Sequence, residues 1–368
     1  MSFPGVRVEV IDGNLLANIN VPDAVPALLV NAASYGAGSN PQTLYELPAD
    51  ELYPCVGDFY AEVGGRTPLV VAPIVMADRS VEDVVLQVRE FLEDYPRVNL
   101  IAIDYRGEDV DFGYTKYGGL ADECVELVMK LQSMLEGRAE AGYPVRAIVD
   151  AMLKVDTEVE YVPRDAGCNR VALLVGSSTD TWSGVGIALG RATKVAAHVK
   201  LGDGTVGPLA VTDIDVWGNA YDEIGTGQME ALHDAGFLVF MRRQGLEGWY
   251  FGVDNMCDKG DYGTLARGRV IDKAHRIAIA AYMRYVETPI DMADDGTIDA
   301  AAAESLAAVV ESQLRAQMGD QVSNIEVVVP LEQDLVNSNT LQVIVRVLPL
   351  GYSTWISVQL GFASRLVE

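Results

Sequence analysis

Residues 248–276 read GWYFGVDNMCDKGDYGTLARGRVIDKAHR. Aromatic side chains, four aspartates, a cysteine and a run of basic residues crowd into this one segment. Its reading decides whether the chain is built around a chemical site or around a scaffold.

A calcium loop is the first template. An EF-hand needs oxygen ligands at positions 1, 3 and 5, glycine at 6 and glutamate at 12. Counted from Asp254, position 3 is Met256, position 6 is Lys259 and position 12 is Leu265. The pattern fails, and an acidic turn is the better description. Zinc is disfavoured as well: Cys55, Cys124, Cys168 and Cys257 lie far apart with no CxxC, and the chain has only three histidines. Free thiols are expected, and no metal.

Upstream, Gly184 to Arg191 (GVGIALGR) follows the strand-like VALLVG. The spacing is G-x-G-x-x-x-G, and SSTDTWS separates strand from glycines, whereas a dinucleotide phosphate sits directly at the strand-to-helix turn. No GK[ST] follows, so a P-loop is absent. Close helix packing through small residues is the preferred reading. A nucleotide-binding α/β enzyme using VGSSTDTWSGVGIALG stays open as the reading from another class. No G-x-S-x-G occurs, and His198, His233 and His275 stand without a nucleophile pattern. No catalytic residue and no cofactor are assigned.

The basic cluster is Arg267, Arg269, Lys273 and Arg276, of which residues 269, 273 and 276 share one face of a helix. In a chain with 27 Lys and Arg against 53 Asp and Glu, net charge −26, that stripe needs an anion. The overall charge disfavours direct binding to nucleic acid. Protein carboxylates are the expected partners, either Asp254, Asp258 and Asp261 or those of a neighbouring subunit. The stripe is therefore internal or intersubunit.

Length and composition frame the rest. With 368 residues, 49% hydrophobic and 22% charged, the chain suits a globular protein of two or three domains. MSFPGVRVEVIDGN shows no basic region followed by an apolar one, so synthesis in the cytoplasm without a signal peptide is expected. Apolar runs such as PLVVAPIVMA are too short to span a bilayer, so no membrane insertion is expected.

Along the chain, VRVEVI (residues 6–11) alternates as a short strand. PALLVNAAS, TPLVVAPIVM, VNLIAIDYRG, PVRAIVDAML and NRVALLVGSS read as strands. SVEDVVLQVREFLEDY, N-capped by Ser80, and LADECVELVMKLQSMLEGRAEAG, stopped by Gly142, read as helices. Strands alternating with helices give an α/β fold with a parallel or mixed sheet. GVGIALGRATKVAAHVKLG reads as a small-residue helix, and RGRVIDKAHRIAIAAYMRYVE as a helix with Val270, Ala274, Ile277, Ala281 and Tyr285 on its apolar side. TPIDMADDGTID marks a boundary. Beyond it come a helix with Leu306, Val310, Leu314 and Met318 in one stripe, and three strands: IEVVVP, LQVIVRVLPLG and STWISVQLGF.

Residues 231–299, from ALHDAGFLVF through the opening segment to DDGTID, resemble the hallmark region of contractile tail sheath proteins. The likeness is to a phage-tail-sheath-like branch found in bacteriophages and prophages. GIALGRATKVAAHVKLGDGTVGPLAVT (residues 186–212) fits that branch, and the last helix with its strands resembles the sheath C-terminal domain. The resemblance covers about the last half of the chain.

It implies an outer α/β sheet domain inserted into an inner sheath domain. The inner domain is formed by the N-terminal strand and a C-terminal α-β-β-β unit. The expected division is 1–20 (linker strand), 21–288 (outer, with a candidate subdivision near 160–170) and 289–368 (inner). The implied function is a structural sheath subunit, not an enzyme. It polymerises around a tail tube and contracts by rigid-body rearrangement to drive the tube through an envelope. The implied partners are further copies of itself in stacked rings, the tail tube protein, and the baseplate and tail terminator proteins. The implied place is the virion tail. The sheath of a bacterial contractile injection or secretion system, extracellular or cytosolic, is the alternative. Strands at both chain ends become joints between subunits: Val6, Arg7, Val8, Glu9, Val10 and Ile11 at one end, and Trp355, Ile356, Ser357, Val358, Gln359, Leu360, Gly361 and Phe362 at the other. The helix Ala300 to Met318 is implied to face the tube, with Glu304, Glu311 and Arg315 as candidate contacts.

Overall fold

Runs of aliphatic and β-branched residues make the strands, and the computed structural model shows how they assemble. It describes residues 21–32, 40–46, 53–76, 79–105, 112–154, 158–178, 183–216, 219–354 and 356–357. In chain order the strands are β1 (Pro26–Asn31), β2 (Gln42–Leu44), β3 (Leu69–Ile74), β4 (Leu100–Ile103), β5 (Arg146–Asp150) and β6 (Val171–Val175). They continue with β7 (Asp215–Val216), β8 (Asn219–Ala220), β9 (Leu238–Met241), β10 (Tyr250–Phe251), β11 (Val322–Val328) and β12 (Ile344–Pro349). The longer helices are α1 (Pro54–Val63), α2 (Val81–Asp94), α3 (Asp122–Glu140), α4 (Val185–Lys194), α5 (Thr226–Ala235), α6 (Leu265–Tyr282) and α7 (Ala300–Met318).

The main sheet has eight strands in the order β10-β9-β6-β5-β4-β1-β3-β2. Its six central strands are parallel, and the edge strands β2 and β10 run antiparallel. The fold class is thus mixed α/β. Every residue of β1, β4, β5 and β6 is buried, as a parallel sheet covered on both faces requires. β5 and β6, on either side of residues 160–170, pair within this one sheet.

Local signals set the helix ends. Ser80 and Asp83 form a reciprocal capping box at the start of α2. Gly142, with φ of +93°, lies just past α3. α4 stops at Lys194, where Val195 turns extended, so the helix expected through residue 202 is shorter and the remainder is loop. The glycines of GVGIALG serve the contact between α4 and α1. A Cβ on Gly186 would come within 2.1 Å of the Cys55 carbonyl oxygen, and one on Gly190 within 2.9 Å of Phe59 O. The buried Arg191 on the same helix binds Glu62 of α1 at 2.5 Å.

A second, smaller core lies beyond the sheet. Val310, Leu314 and Met318 of α7 meet Ile325 and Val327 of β11, and Val345 and Val347 of β12 complete that face. β11 and β12 form a two-stranded antiparallel sheet on their own, with Glu326 opposite Arg346. The expected third strand from residue 353 lies mainly outside the described residues, and Ile356 and Ser357 carry no strand assignment.

α6 joins the two cores. Leu265 belongs to the large one, while Val270, Ala274, Ile277 and Ala281 belong to the small one. Asp272, on the sheet-facing side, accepts two hydrogen bonds from the buried Arg146 of β5, at 2.8 and 3.3 Å, and further bonds from Arg170.

The close approach of α1 and α4 gives a stability prediction. Gly186→Ala should destabilise by about 1–3 kcal/mol, because the added carbon meets backbone rather than a movable side chain. Gly65→Ala, with nothing near its Cβ position, should stay within about 0.5 kcal/mol of the parent. Urea unfolding of both variants checks the contrast.

Candidate assembly surface

The small core borders the first described residues and the strand pair near the last described ones. The first described residues, 21–25, lie against it. Val21 packs on the cluster and its amide donates to Gln317 Oε1 of α7 at 2.9 Å. Asp23 accepts from Lys273 Nζ of α6 at 2.7 Å and from Gln321 Nε2 at 3.3 Å. The segment then enters β1, with Val25 N held by Asn99. At the other end, the chain leaves β12 and is fixed by Tyr352, whose hydroxyl donates to His198 O at 2.6 Å. The Lys200 ammonium stands 4.8 Å from the centre of the Tyr352 ring. The first described segment is thus held by α6 and α7, and the stretch after β12 by the loop that follows α4.

The basic stripe lies inside this junction. Lys273 is 4% exposed and Arg269 5%, so neither is a surface group. The partner of Lys273 is Asp23, a residue no sequence pattern singles out, and the fold brings it there across 250 positions. Arg269 donates to Val195 O, and Arg276 to Pro144 O. Burial lowers the Arg269 guanidinium to about 10. Of the three aspartates expected opposite the stripe, Asp254 is buried near Arg269 and accepts from Ala266 N at the start of α6. Asp258 instead caps its own turn through Gly260 N. Burial pushes the Asp254 carboxyl up to about 6, against partial relief from that amide and from Lys200.

The outward face of the β11–β12 sheet is partly apolar. Ile344 and Leu348 alternate with Arg346, which pairs with Glu326 at 3.0 Å. Leu348 is 59% exposed and Ile356, farther along, 79%. α7 lies over β11 rather than β12. Its Arg315 bonds Glu311 at 2.8 Å and donates to Ile325 O of β11 at 2.7 Å. Among the described residues no strand pairs with the outer edge of β12. Beside it runs a groove of about 520 Å³, lined by Val343, Val345, Ala274, Ala278, His275 and Tyr262 among others.

Of the candidate joint residues, Ile356 and Ser357 are exposed. Val6, Arg7, Val8, Glu9, Val10, Ile11, Trp355, Val358, Gln359, Leu360, Gly361 and Phe362 lie outside the described residues. Of the candidate tube contacts, Glu304 and Arg315 are exposed and Glu311 is half-buried. No group of three or more His, Cys, Asp or Glu among the described residues is placed to hold a metal ion. None of the described helices is long and apolar enough to cross a membrane.

Comparison with known proteins gives this geometry a context. Residues 261–367 match the family model described as DUF2586, C-terminal domain, which spans α6 and the whole small unit. The fold matches the helical sheath of the anti-feeding prophage in its contracted state. The TM-score is 0.67 at 14% identity, over 98% of this chain and 99% of that one. It also matches the contracted sheath of the extracellular contractile injection system PVC, with a TM-score of 0.64 at 12% identity, over 99% and 98% of the two chains. The sheath tail protein of Listeria innocua follows with 0.53 at 11% identity, over 89% and 96%. No curated protein sequence matches the chain. At these identities the likeness is one of fold, and the chain has the fold of contractile sheath subunits.

Two variants test the buried charges at the junction. Asp23→Ala leaves Lys273 buried and unpaired and should cost roughly 3 kcal/mol. Lys273→Met should cost less than half of that, because Asp23 retains Gln321 and is 28% exposed to water. Chemical denaturation gives the order, and equal losses would contradict the asymmetry. For Asp254, the raised pKa means that the folded state holds its proton longer than the unfolded chain does. Stability should therefore fall as pH rises from about 4 to about 6, by roughly 3 kcal/mol in total. Asp254→Asn should be more stable than the parent at pH 7.5 and lose that advantage below pH 4, as read by urea unfolding across this range.

Proposed function

We propose that this chain is a structural subunit of a contractile tail sheath. It polymerises around a tail tube and shortens by rigid-body rearrangement of its subunits. The observation that carries the proposal is a two-stranded sheet whose β12 edge no described strand pairs, with the first described segment fixed to the neighbouring α7 and the stretch after β12 fixed to the loop after α4. The fold shared with sheath subunits supports it.

In this account the inner unit is residues 289–368 together with the linker strand of residues 1–20, and residues 21–288 form the outer domain. Twenty residues, if fully extended, reach about 70 Å, enough to cross to a neighbouring subunit. Residues 6–11 then add a strand to a neighbour's β12 edge, since Arg315 already engages β11. Val6, Val8 and Val10 then face Val343, Val345, Ala274 and Ala278, the apolar side of the mixed groove beside β12, and Arg7 and Glu9 face outward. Residues 355–362 make the second joint. A contact that repeats with a rotation and a rise builds a helical polymer rather than a closed ring. α7, with Glu304, Glu311 and Arg315, faces the tube. Arg269, Lys273 and Arg276 hold the junction rigid within one subunit.

The same reading gives the protein no catalytic role, cofactor, metal or direct nucleic-acid contact. Its partners are further copies of itself, the tube, the baseplate and the tail terminator. It acts in a virion tail or a related contractile particle after synthesis in a bacterial cytoplasm. The likeness to the sheath of an extracellular contractile injection system keeps the injection machine as the second reading, with identical mechanics.

Truncation tests the proposal. The full chain, mixed with its cognate tube protein, should form sheathed tubes visible by negative-stain microscopy. Chains beginning at Asp12 or ending at Thr354 should fold, with circular dichroism unchanged, yet fail to polymerise. Polymers from both truncated chains, or persistent monomers of the full chain with the tube present, would overturn it.

A further inference from the structure

Three of the four cysteines, Cys257, Cys168 and Cys124, lie within electrostatic reach of Tyr161, whose buried hydroxyl has no hydrogen-bond partner among the described residues. Two of them stand in a defined register. Cys168, in the loop before β6, and Cys257, in the turn-rich stretch before α6, are directly opposed in an isolated antiparallel bridge. Cys168 N donates to Cys257 O at 2.6 Å, and Cys257 N donates to Val171 O at 2.8 Å. Opposed residues of an antiparallel pair have Cα atoms about 4.5–5.5 Å apart and direct their side chains to the same face. That spacing falls inside the window of about 4.4–6.8 Å that a disulfide requires. Both thiols are free, and Cys168 Sγ donates to Ala166 O at 3.5 Å. Cys124, the third thiol, comes from α3 and is turned to Asp150 O.

We infer that Cys168 and Cys257 form a disulfide-competent pair that an oxidant of the disulfide class converts into a covalent staple. With oxidised glutathione the two thiols lose two protons and two electrons. One protein S–S bond forms, the glutathione S–S bond breaks, and two molecules of reduced glutathione leave with the protons. The staple ties the segment leading into α6 to the start of β6, in the middle of the main sheet. It removes freedom from the unfolded chain over the long loop between the two cysteines. Cytoplasmic reductants keep such a pair open, and an oxidising medium present while the chain folds closes it. Burial raises both thiols, Cys168 to about 11, so exchange in the folded protein is slow and the bond is set during folding.

Oxidation must therefore accompany synthesis. The full chain is made in a cell-free system buffered with oxidised and reduced glutathione, and in parallel with a thiol reductant. Both products are blocked with an alkylating reagent, digested without reduction and mapped by mass spectrometry. The oxidised sample should contain a Cys168–Cys257 linked peptide as its main disulfide and melt several degrees above the reduced one. Cys168→Ser should melt at the same temperature under both conditions, which separates the staple from any cost of the substitution itself. Pairing through Cys124, or four alkylated thiols in the oxidised product, would overturn the assignment.

Discussion

A two-stranded sheet leaves half of its backbone hydrogen-bonding capacity at its edges, and β11–β12 is such a sheet. Two strands alone are marginal in water, so this pair depends on α7 and α6 covering one face. The cover is one-sided. It buries Ile325 and Val327 and partly buries Val345 and Val347, but leaves the β12 edge without a described partner strand. An open edge flanked by exposed Ile344 and Leu348 is an aggregation hazard in a free-standing protein. In an assembling subunit it is a joint. The eight-stranded sheet, by contrast, has β1, β4, β5 and β6 wholly buried.

α6 is the mechanical link between these two regimes. One side presents Asp272 to the guanidinium of Arg146, deep in the sheet. The other presents an apolar stripe to the small core and Lys273 to Asp23 at the root of the N-terminal segment. Charged pairs of this burial add little net stability over apolar packing, but losing one partner is costly. The Lys273–Asp23 pair therefore sets where the N-terminal segment starts rather than how tightly the chain folds. A subunit that rotates as a rigid body while its linkers stay paired needs such a fixed root. At the junction Lys273 meets the Asp23 carboxylate, while Arg269 and Arg276 donate to the backbone carbonyls of Val195 and Pro144.

Much of this was legible in the sequence, and for physical reasons. Continuous aliphatic runs marked β1, β3, β4, β5 and β6 because a doubly covered strand tolerates little else. The 3.6-residue stripe of Leu306, Val310, Leu314 and Met318 marked α7, and Ser80 marked the start of α2. Helix α1 was not legible: it opens on Pro54, carries Gly57 and buries Glu62, so its pattern is broken by the residues it uses to meet α4. Proline at the first turn and Gly64 just beyond the end were the signals available. The small-residue run of α4 overstated its length, since alanines and glycines allow a helix without requiring one. At the candidate site, the basic stripe was legible and its partner was not. Asp23 sits in a short loop with no periodicity, and only the fold brings it beside Lys273. The crowded segment before α6 carried a different message from the one its composition suggested. Its aspartates and glycines shape a turn and start a helix.

The central claim is that the β12 edge receives a strand from another copy of the chain. A cryo-electron microscopy map of the polymer assembled on its tube measures this directly. The account predicts an additional strand hydrogen-bonded along β12, continuous with residues 6–11 of a neighbouring subunit, with α7 turned toward the tube. A polymer in which β12 stays bare and subunits meet only through their outer α/β domains would contradict it.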